Sequence, residues 1–277
     1  MFKLLLASLL ALFTASAALA QAPAATKPAQ GVHYVYMVRH GMYDRDSLAT
    51  DDRVANGLNA LGHEQAQLTG ARLAGLGVRF DHLVSSEYLR AKQTADDMGA
   101  IMKLTPTRDG ALNECTPTTL YPPYMANHSP AEIAECDSAR QVQWARYFVP
   151  TPERDTYDVL VCHGNVIRWT LMKAATADPR NWHLLDVGNG SLTVFAIRPD
   201  GTVRVVTYSD TGHLPVAKQT WSGKGWGAAA GSPWTRARGT RTQSATPTPG
   251  PGPRPPPSPP APSPRSARCS PPNRGRR

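Results

Sequence analysis

The sequence predicts an α/β fold, a three-layer αβα sandwich on a mainly parallel sheet. Short aromatic or β-branched runs alternate with stretches of helical periodicity over about 180 residues, the pattern of strands joined by helices. Two of those runs end in the same dipeptide, His-Gly, at positions 40–41 and 163–164. Pro199-Asp200-Gly201 separates two further runs and signals a hairpin, so an antiparallel component closes the sheet.

The elements follow in order. Residues 33–38 (HYVYMV) are too short for a helix and read as a buried strand. A polar loop spans 44–56, and 62–76 places Ala66, Leu68, Ala71, Leu73 and Leu76 at helical intervals, weakened locally by Thr69-Gly70. A second strand at 82–84 leads into helix formers from 87 to 102. Between 112 and 130 the pattern fails, and Pro117, Pro122 and Pro123 exclude regular structure. Ser129 as N-cap with Pro130 at the first helical position opens a helix to about 148. A strand at 157–162, a helix at 165–175 and hairpin strands at 191–197 and 202–208 complete the body. Ligands of such sheets bind beyond the carboxyl ends of the strands, where both His-Gly pairs fall.

The ends differ from the body. Lys3, the apolar run from Leu4 to Phe13 and Ala18-Leu19-Ala20 predict an export signal over 1–20, and hence a periplasmic or secreted protein. Residues 21–31, rich in Ala, Pro and Gln, read as a linker, and 32–222 as the folded domain. Residues 223–277 hold 14 of the 26 prolines and ten Lys and Arg with no Asp or Glu, the composition of a disordered tail. Removing that tail leaves 20 basic against 21 acidic residues in 1–222, so the net charge of +9 gives no support for a nucleic-acid-binding body. No segment after the leader is apolar for long enough to span a membrane.

The four cysteines, Cys115, Cys136, Cys162 and Cys269, have no spacing that suits zinc, and no metal or cofactor is expected. Cys115 and Cys136 can close a modest loop if oxidised; Cys162, inside an apolar run, reads as a buried small hydrophobe.

Four clusters carry chemistry. Arg39-His40-Gly41 follows the first strand: a histidine there can be a nucleophile, an arginine can orient a phosphoryl group, and a glycine lets backbone approach a ligand. Cys162-His163-Gly164-Asn165-Val166-Ile167-Arg168 ends a later strand where a helix N-terminus presents free amides to an anion. In Ser85-Ser86-Glu87-Tyr88-Leu89-Arg90-Ala91-Lys92-Gln93-Thr94, Arg90 can turn into the same site from the first helical turn. Leu112-Asn113-Glu114 offers a carboxyl group as proton donor to a leaving alkoxide. Taken singly, each has a plainer reading, a structural histidine or a solvated charge; occurring together in this order, they define one site. His33, His63, His82, His128, His183 and His213 lack such company and read as structural or exposed.

In that order the clusters resemble the histidine phosphatase, or phosphoglycerate-mutase-like, superfamily over about residues 33–214. Within it the chain is most similar to the mitochondrial serine/threonine phosphatase branch, on Gly62-His63-Glu64-Gln65-Ala66-Gln67-Leu68-Thr69-Gly70, Asn189-Gly190-Ser191, Ile197-Arg198-Pro199-Asp200-Gly201 and Asp210-Thr211-Gly212. The resemblance implies a metal-independent phosphomonoester phosphatase whose partner is a phosphorylated protein or small compound. It makes His40 the nucleophile, Arg39, Arg90 and His163 the phosphate ligands, and Glu114 the acid and base, with Tyr43 and Asn165 lining the pocket.

Three departures stand out. Gly41 replaces the branch's serine, the loop after Glu114 is its own, and no counterpart of the branch's membrane helix and assembly segment is present. The run on to Met42-Tyr43-Asp44-Arg45 argues against acid phosphatases and phytases, and a mutase would need a second phosphate site. A catalytically quiet phosphate- or partner-binding module and a phosphohistidine phosphatase are the alternatives.

Overall fold

In a computed structural model, which describes residues 31–151 and 153–221, six strands form one sheet of order β3-β2-β4-β1-β5-β6. Strand β1 (His33–Arg39) pairs in parallel with β4 (Thr156–Cys162), which pairs in parallel with β2 (His82–Ser85). On its other side β1 meets β5 (Leu192–Ile197), antiparallel, and β5 turns back into β6 (Val203–Asp210). Gly201, at φ +82°, supplies the left-handed residue of that hairpin.

Side chains alternate along the central strands, and each face meets its own helices. Val35 and Met37 of β1 and Leu160 and Cys162 of β4 pack with Val166 and Ile167 of α4 (Gly164–Ala174) and with Phe148, the residue that ends α3 (Pro130–Tyr147). Val38, Val159 and Val161 point the other way, onto Leu73 of α1 (Ala60–Ala74) and Ala91, Ala95 and Met98 of α2 (Leu89–Met102). A parallel centre buried on both faces gives strands that read as continuous apolar runs. These are the three expected layers.

Local signals account for the helix starts. Ser129 and Glu132 close a capping box ahead of α3, with Pro130 at its first turn. Helix α1 begins two residues before its periodic run, because Asn59 caps it by accepting the Gly62 amide. The sequence reading missed β3 (Thr107–Arg108): its two residues, placed beside β2 by Val84↔Thr107 and Ser85↔Arg108, are too few to show a period. From 110 to 129 the chain is irregular apart from two short 3-10 turns, Gly110–Leu112 and Pro122–Tyr124.

Cys115 and Cys136 form a disulfide, their Cα atoms 5.7 Å apart, and Cys162 is a buried free thiol. Closing a loop of this length restricts the unfolded chain by about 3 kcal/mol in the chain-entropy account. The leader at 1–20, the linker at 21–31 except for its last residue, and the tail at 223–277 lie outside the described residues. Among the described residues, no helix is long and apolar enough to cross a membrane.

Candidate active site

Strand register brings the two His-Gly pairs together. Arg39 lies opposite Cys162 in the parallel β1–β4 ladder, so His40 and His163 leave the sheet side by side at its carboxyl edge. Their rings are 5.1 Å apart between centroids, and both residues are buried. His40 Nδ1 lies 2.7 Å from the Gly41 carbonyl; a carbonyl only accepts, so Nδ1 carries the proton and Nε2 keeps its lone pair. His163 Nε2 lies 2.7 Å from Ser86 Oγ, whose own proton goes to Asn113 Oδ1 at 2.9 Å. His163 is therefore the donor in that pair, and its buried Nδ1 has no hydrogen-bond partner.

The Arg39-His40-Gly41 turn is fastened from three sides. Gly190 N–H donates to the Arg39 carbonyl at 3.0 Å and Asn189 Nδ2 to the His40 carbonyl at 3.0 Å. Gly190 itself has φ +66°, a conformation that L side chains rarely adopt. From α2, Thr94 Oγ1 accepts the Gly41 amide at 3.0 Å and donates to the Arg90 carbonyl at 2.7 Å, tying the turn to the helix that carries Arg90. From α1, Gln65 Oε1 accepts the Met42 amide at 2.8 Å, and Thr69 Oγ1 reaches the Gly190 carbonyl at 3.0 Å. The reason for Gly41 differs from the expected one. A Cβ there would lie 2.3 Å from the Gly62 carbonyl, so glycine lets the turn lie against the first turn of α1.

Arg39 and Arg90 are buried beside the histidines. Arg39 donates to the Val187 carbonyl; burial, and then the Arg168 guanidinium, push its pKa down to about 10, which leaves it charged at neutral pH. Arg90 pairs with Asp52 at 2.9 Å and stacks over the Tyr43 ring at 4.7 Å and the Tyr88 ring at 5.1 Å. Tyr43 also meets the His40 ring edge-on at 5.3 Å. Glu114 Oε2 accepts the Asn165 amide at the start of α4 at 3.4 Å, and the buried Oε1 has no partner. Burial raises the Glu114 pKa against the opposing fields of Arg90, Arg39, Arg140 and Arg168.

The site thus joins Arg39, His40, Arg90, Glu114 and His163, with Tyr43 and Asn165 at its wall. Sequence reasoning missed Asp52, which lies in the polar loop at 44–56 and holds Arg90; a carboxylate in a polar loop carries no periodic signal. It also missed Ser86 and Asn113, quoted in the clusters without a role, which orient His163. The remaining histidines lie elsewhere: His33 and His82 share Asp158, His63 pairs with Asp97, and His213 contacts Thr69 and the Gly190 carbonyl.

Burial, then the Arg39 and Arg90 charges, hold the His40 pKa well below the usual histidine value. Burial and the neighbouring Arg90, His40, Arg39 and Arg140 do the same to His163. Below about pH 6.5 the unfolded chain then binds protons that the native state refuses, so stability falls as pH drops. The expected slope is up to about 1.4 kcal/mol per pH unit for each ring. Urea denaturation between pH 7 and pH 5 in phosphate-free buffer should show this slope, and it should shrink in H40Q and H163Q. An equal slope in all three proteins would mean the native rings titrate normally.

Paired histidines between arginines, at the carboxyl edge of a parallel sheet, define the class: an α/β enzyme of phosphoryl transfer. The family model of the histidine phosphatase superfamily (branch 1) matches residues 35–120 and 118–211. The chain belongs to that superfamily, and it is a phosphatase. The serine/threonine-protein phosphatase PGAM5, mitochondrial, of Homo sapiens is 33% identical over 200 residues, covering 70% of this chain and 68% of the relative. Its Xenopus laevis counterpart is 33% identical over 194 residues, covering 68% and 69%. A phosphoserine phosphatase of Entamoeba histolytica, solved with phosphoserine, shares the fold at 17% identity and a TM-score of 0.50, over 66% of this chain and 100% of that one.

These relatives correct the expectation of export. They are mitochondrial by name, which overturns the periplasmic or secreted reading of residues 1–20. A cationic start and a short apolar run are features of local composition alone, and the relatives' names outweigh them as a guide to destination.

Proposed function

We propose that this phosphatase acts without metal on phosphoserine and phosphothreonine in proteins, with His40 as nucleophile. The reading rests above all on the His40 Nδ1 bond to the Gly41 carbonyl, which leaves Nε2 unprotonated between cationic side chains. The names of the PGAM5 relatives support the substrate class, and also a mitochondrial setting.

His40 Nε2 attacks phosphorus, and the bond from phosphorus to the serine or threonine oxygen breaks as the N–P bond forms. Arg39 and Arg90 balance the charge on the non-bridging oxygens, and His163 becomes a third ligand when the bound dianion draws a proton onto its partnerless Nδ1. The departing oxygen takes the Glu114 proton. A water then gives a proton to the Glu114 carboxylate as its oxygen bonds to phosphorus; the N–P bond breaks and inorganic phosphate leaves.

The test is phosphate release by the full chain, in excess chelator, from phosphoserine and phosphothreonine peptides, free phosphoserine and a phosphohistidine peptide. The phosphoserine and phosphothreonine peptides are expected to give the highest kcat/KM. Turnover of the phosphohistidine peptide alone would replace the substrate class. Turnover lost to chelator would overturn the metal-free mechanism, and none from any substrate would favour a binding module.

A further inference from the structure

We infer that Arg140 is a positioning residue for Glu114, gripping from behind the irregular turn that carries this carboxyl group. The inference rests on the reading of Glu114 as the acid.

Arg140 is among the most buried side chains of the chain, 1% exposed, and it belongs to none of the sequence clusters. Its Nη2 donates to the Ala111 carbonyl at 2.7 Å and to the Asn113 carbonyl at 3.2 Å, while Nε and Nη1 have no hydrogen-bond partner. One helical turn earlier on the same face of α3, Cys136 is bonded to Cys115. Helix α3 thus holds residues 111, 113 and 115, on both sides of Glu114.

The carbonyls of Glu114 and Cys115 are also taken. The Tyr88 hydroxyl donates to the Glu114 carbonyl at 3.2 Å, and Asn165 Nδ2 to the Cys115 carbonyl at 2.9 Å. With the backbone held and Oε2 on the Asn165 amide, the buried Oε1 is the carboxyl atom left for the leaving oxygen.

Two carbonyls do not need a cation to hold them, and burying an unpaired guanidinium is costly. The charge has its use in the field it places on Glu114, together with Arg39 from β1, Arg90 from α2 and Arg168 from α4. Other titratable groups also meet the segment: Tyr88, the N-cap of α2, on the Glu114 carbonyl, Glu87 on the Asn113 side chain and Asp109 on the Ala111 amide, with the buried Cys162 thiol of β4 close enough to feel the Glu114 charge. Arg140 therefore does two separable things: its Nη2 bonds set where the carboxyl sits, and its charge lowers the pH at which that carboxyl loses its proton.

The experiment compares the wild-type full chain with E114Q, R140K and R140M on two substrates. A phosphoserine peptide has a basic leaving oxygen that needs a proton; para-nitrophenyl phosphate has one that leaves unaided. R140M is expected to lower kcat by about tenfold or more on the peptide and by less than about threefold on the aryl ester, the signature of a misplaced general acid. The alkaline limb of kcat should move to higher pH in R140M and stay in place in R140K, which keeps the charge. R140K should still lose activity selectively on the peptide, and it decides the matter if R140M fails to fold by circular dichroism. Equal losses on both substrates, or no loss, would overturn the positioning role while E114Q discriminates between the substrates. If E114Q itself fails to discriminate, the acid reading falls instead.

Discussion

Replacing His40 with alanine is expected to reduce kcat/KM by at least about three orders of magnitude, because it removes the atom that forms the bond to phosphorus. The expectation follows from geometry as well as from residue type. The Gly41 carbonyl fixes the Nδ1 proton, and burial with the Arg39 and Arg90 charges keeps the ring neutral well into acid. The nucleophile is thus in its reactive form across the neutral range. Rapid quenching of wild type with a phosphorylated substrate should trap an acid-labile, alkali-stable phosphoenzyme, and H40A should trap none. Gly190, Thr94 and Asn189 hold backbone around this position, so H40A should keep its circular dichroism spectrum. A folded H40A protein retaining a tenth of wild-type turnover would remove His40 from the nucleophile's role.

The second large effect is expected at Glu114. E114Q should lower kcat by about a hundredfold on a phosphoserine peptide and far less on para-nitrophenyl phosphate, whose leaving oxygen needs no proton. Burial raises the Glu114 pKa, and a raised carboxyl pKa extends the protonated form to higher pH. The wild-type kcat profile should therefore show an alkaline limb above the ordinary carboxylate range, absent from E114Q. Stopped assays across pH on both substrates make the comparison. Equal losses on the two esters would assign Glu114 to phosphate binding or folding rather than to proton transfer.

Much of this was legible in the chain. The strand runs at 33–38, 157–162 and 191–197 were clear because a sheet covered on both faces needs apolar residues on both. The hairpin at Pro199-Asp200-Gly201 was clear because its chemistry is local. Arg39-His40-Gly41 and Cys162-His163-Gly164 each ended such a run. The strings around Gly62 and Asn189 served as family marks, and the structure gives their reason: Gln65, Thr69, Asn189 and Gly190 brace the turn that holds His40. Destination was not legible, since the first 20 residues were read as an export signal and the relatives are mitochondrial by name.

By itself, then, the sequence determined the layers, the order of most elements and the residues that meet at the sheet's edge, all of which depend on periodicity or on neighbours in the chain. Only the tertiary structure decided how those residues are held. The β1–β4 register sets Arg39 against Cys162 and so puts the two histidines ring to ring. Asp52 reaches Arg90 from a loop without pattern. The segment around Glu114 takes its shape from Tyr88 at the N-cap of α2, Arg140 and Cys136 on α3 and Asn165 on α4. Irregular backbone has no repeat to read: its conformation is set by whichever distant donors satisfy its carbonyls, and those donors are neighbours only once the chain has folded.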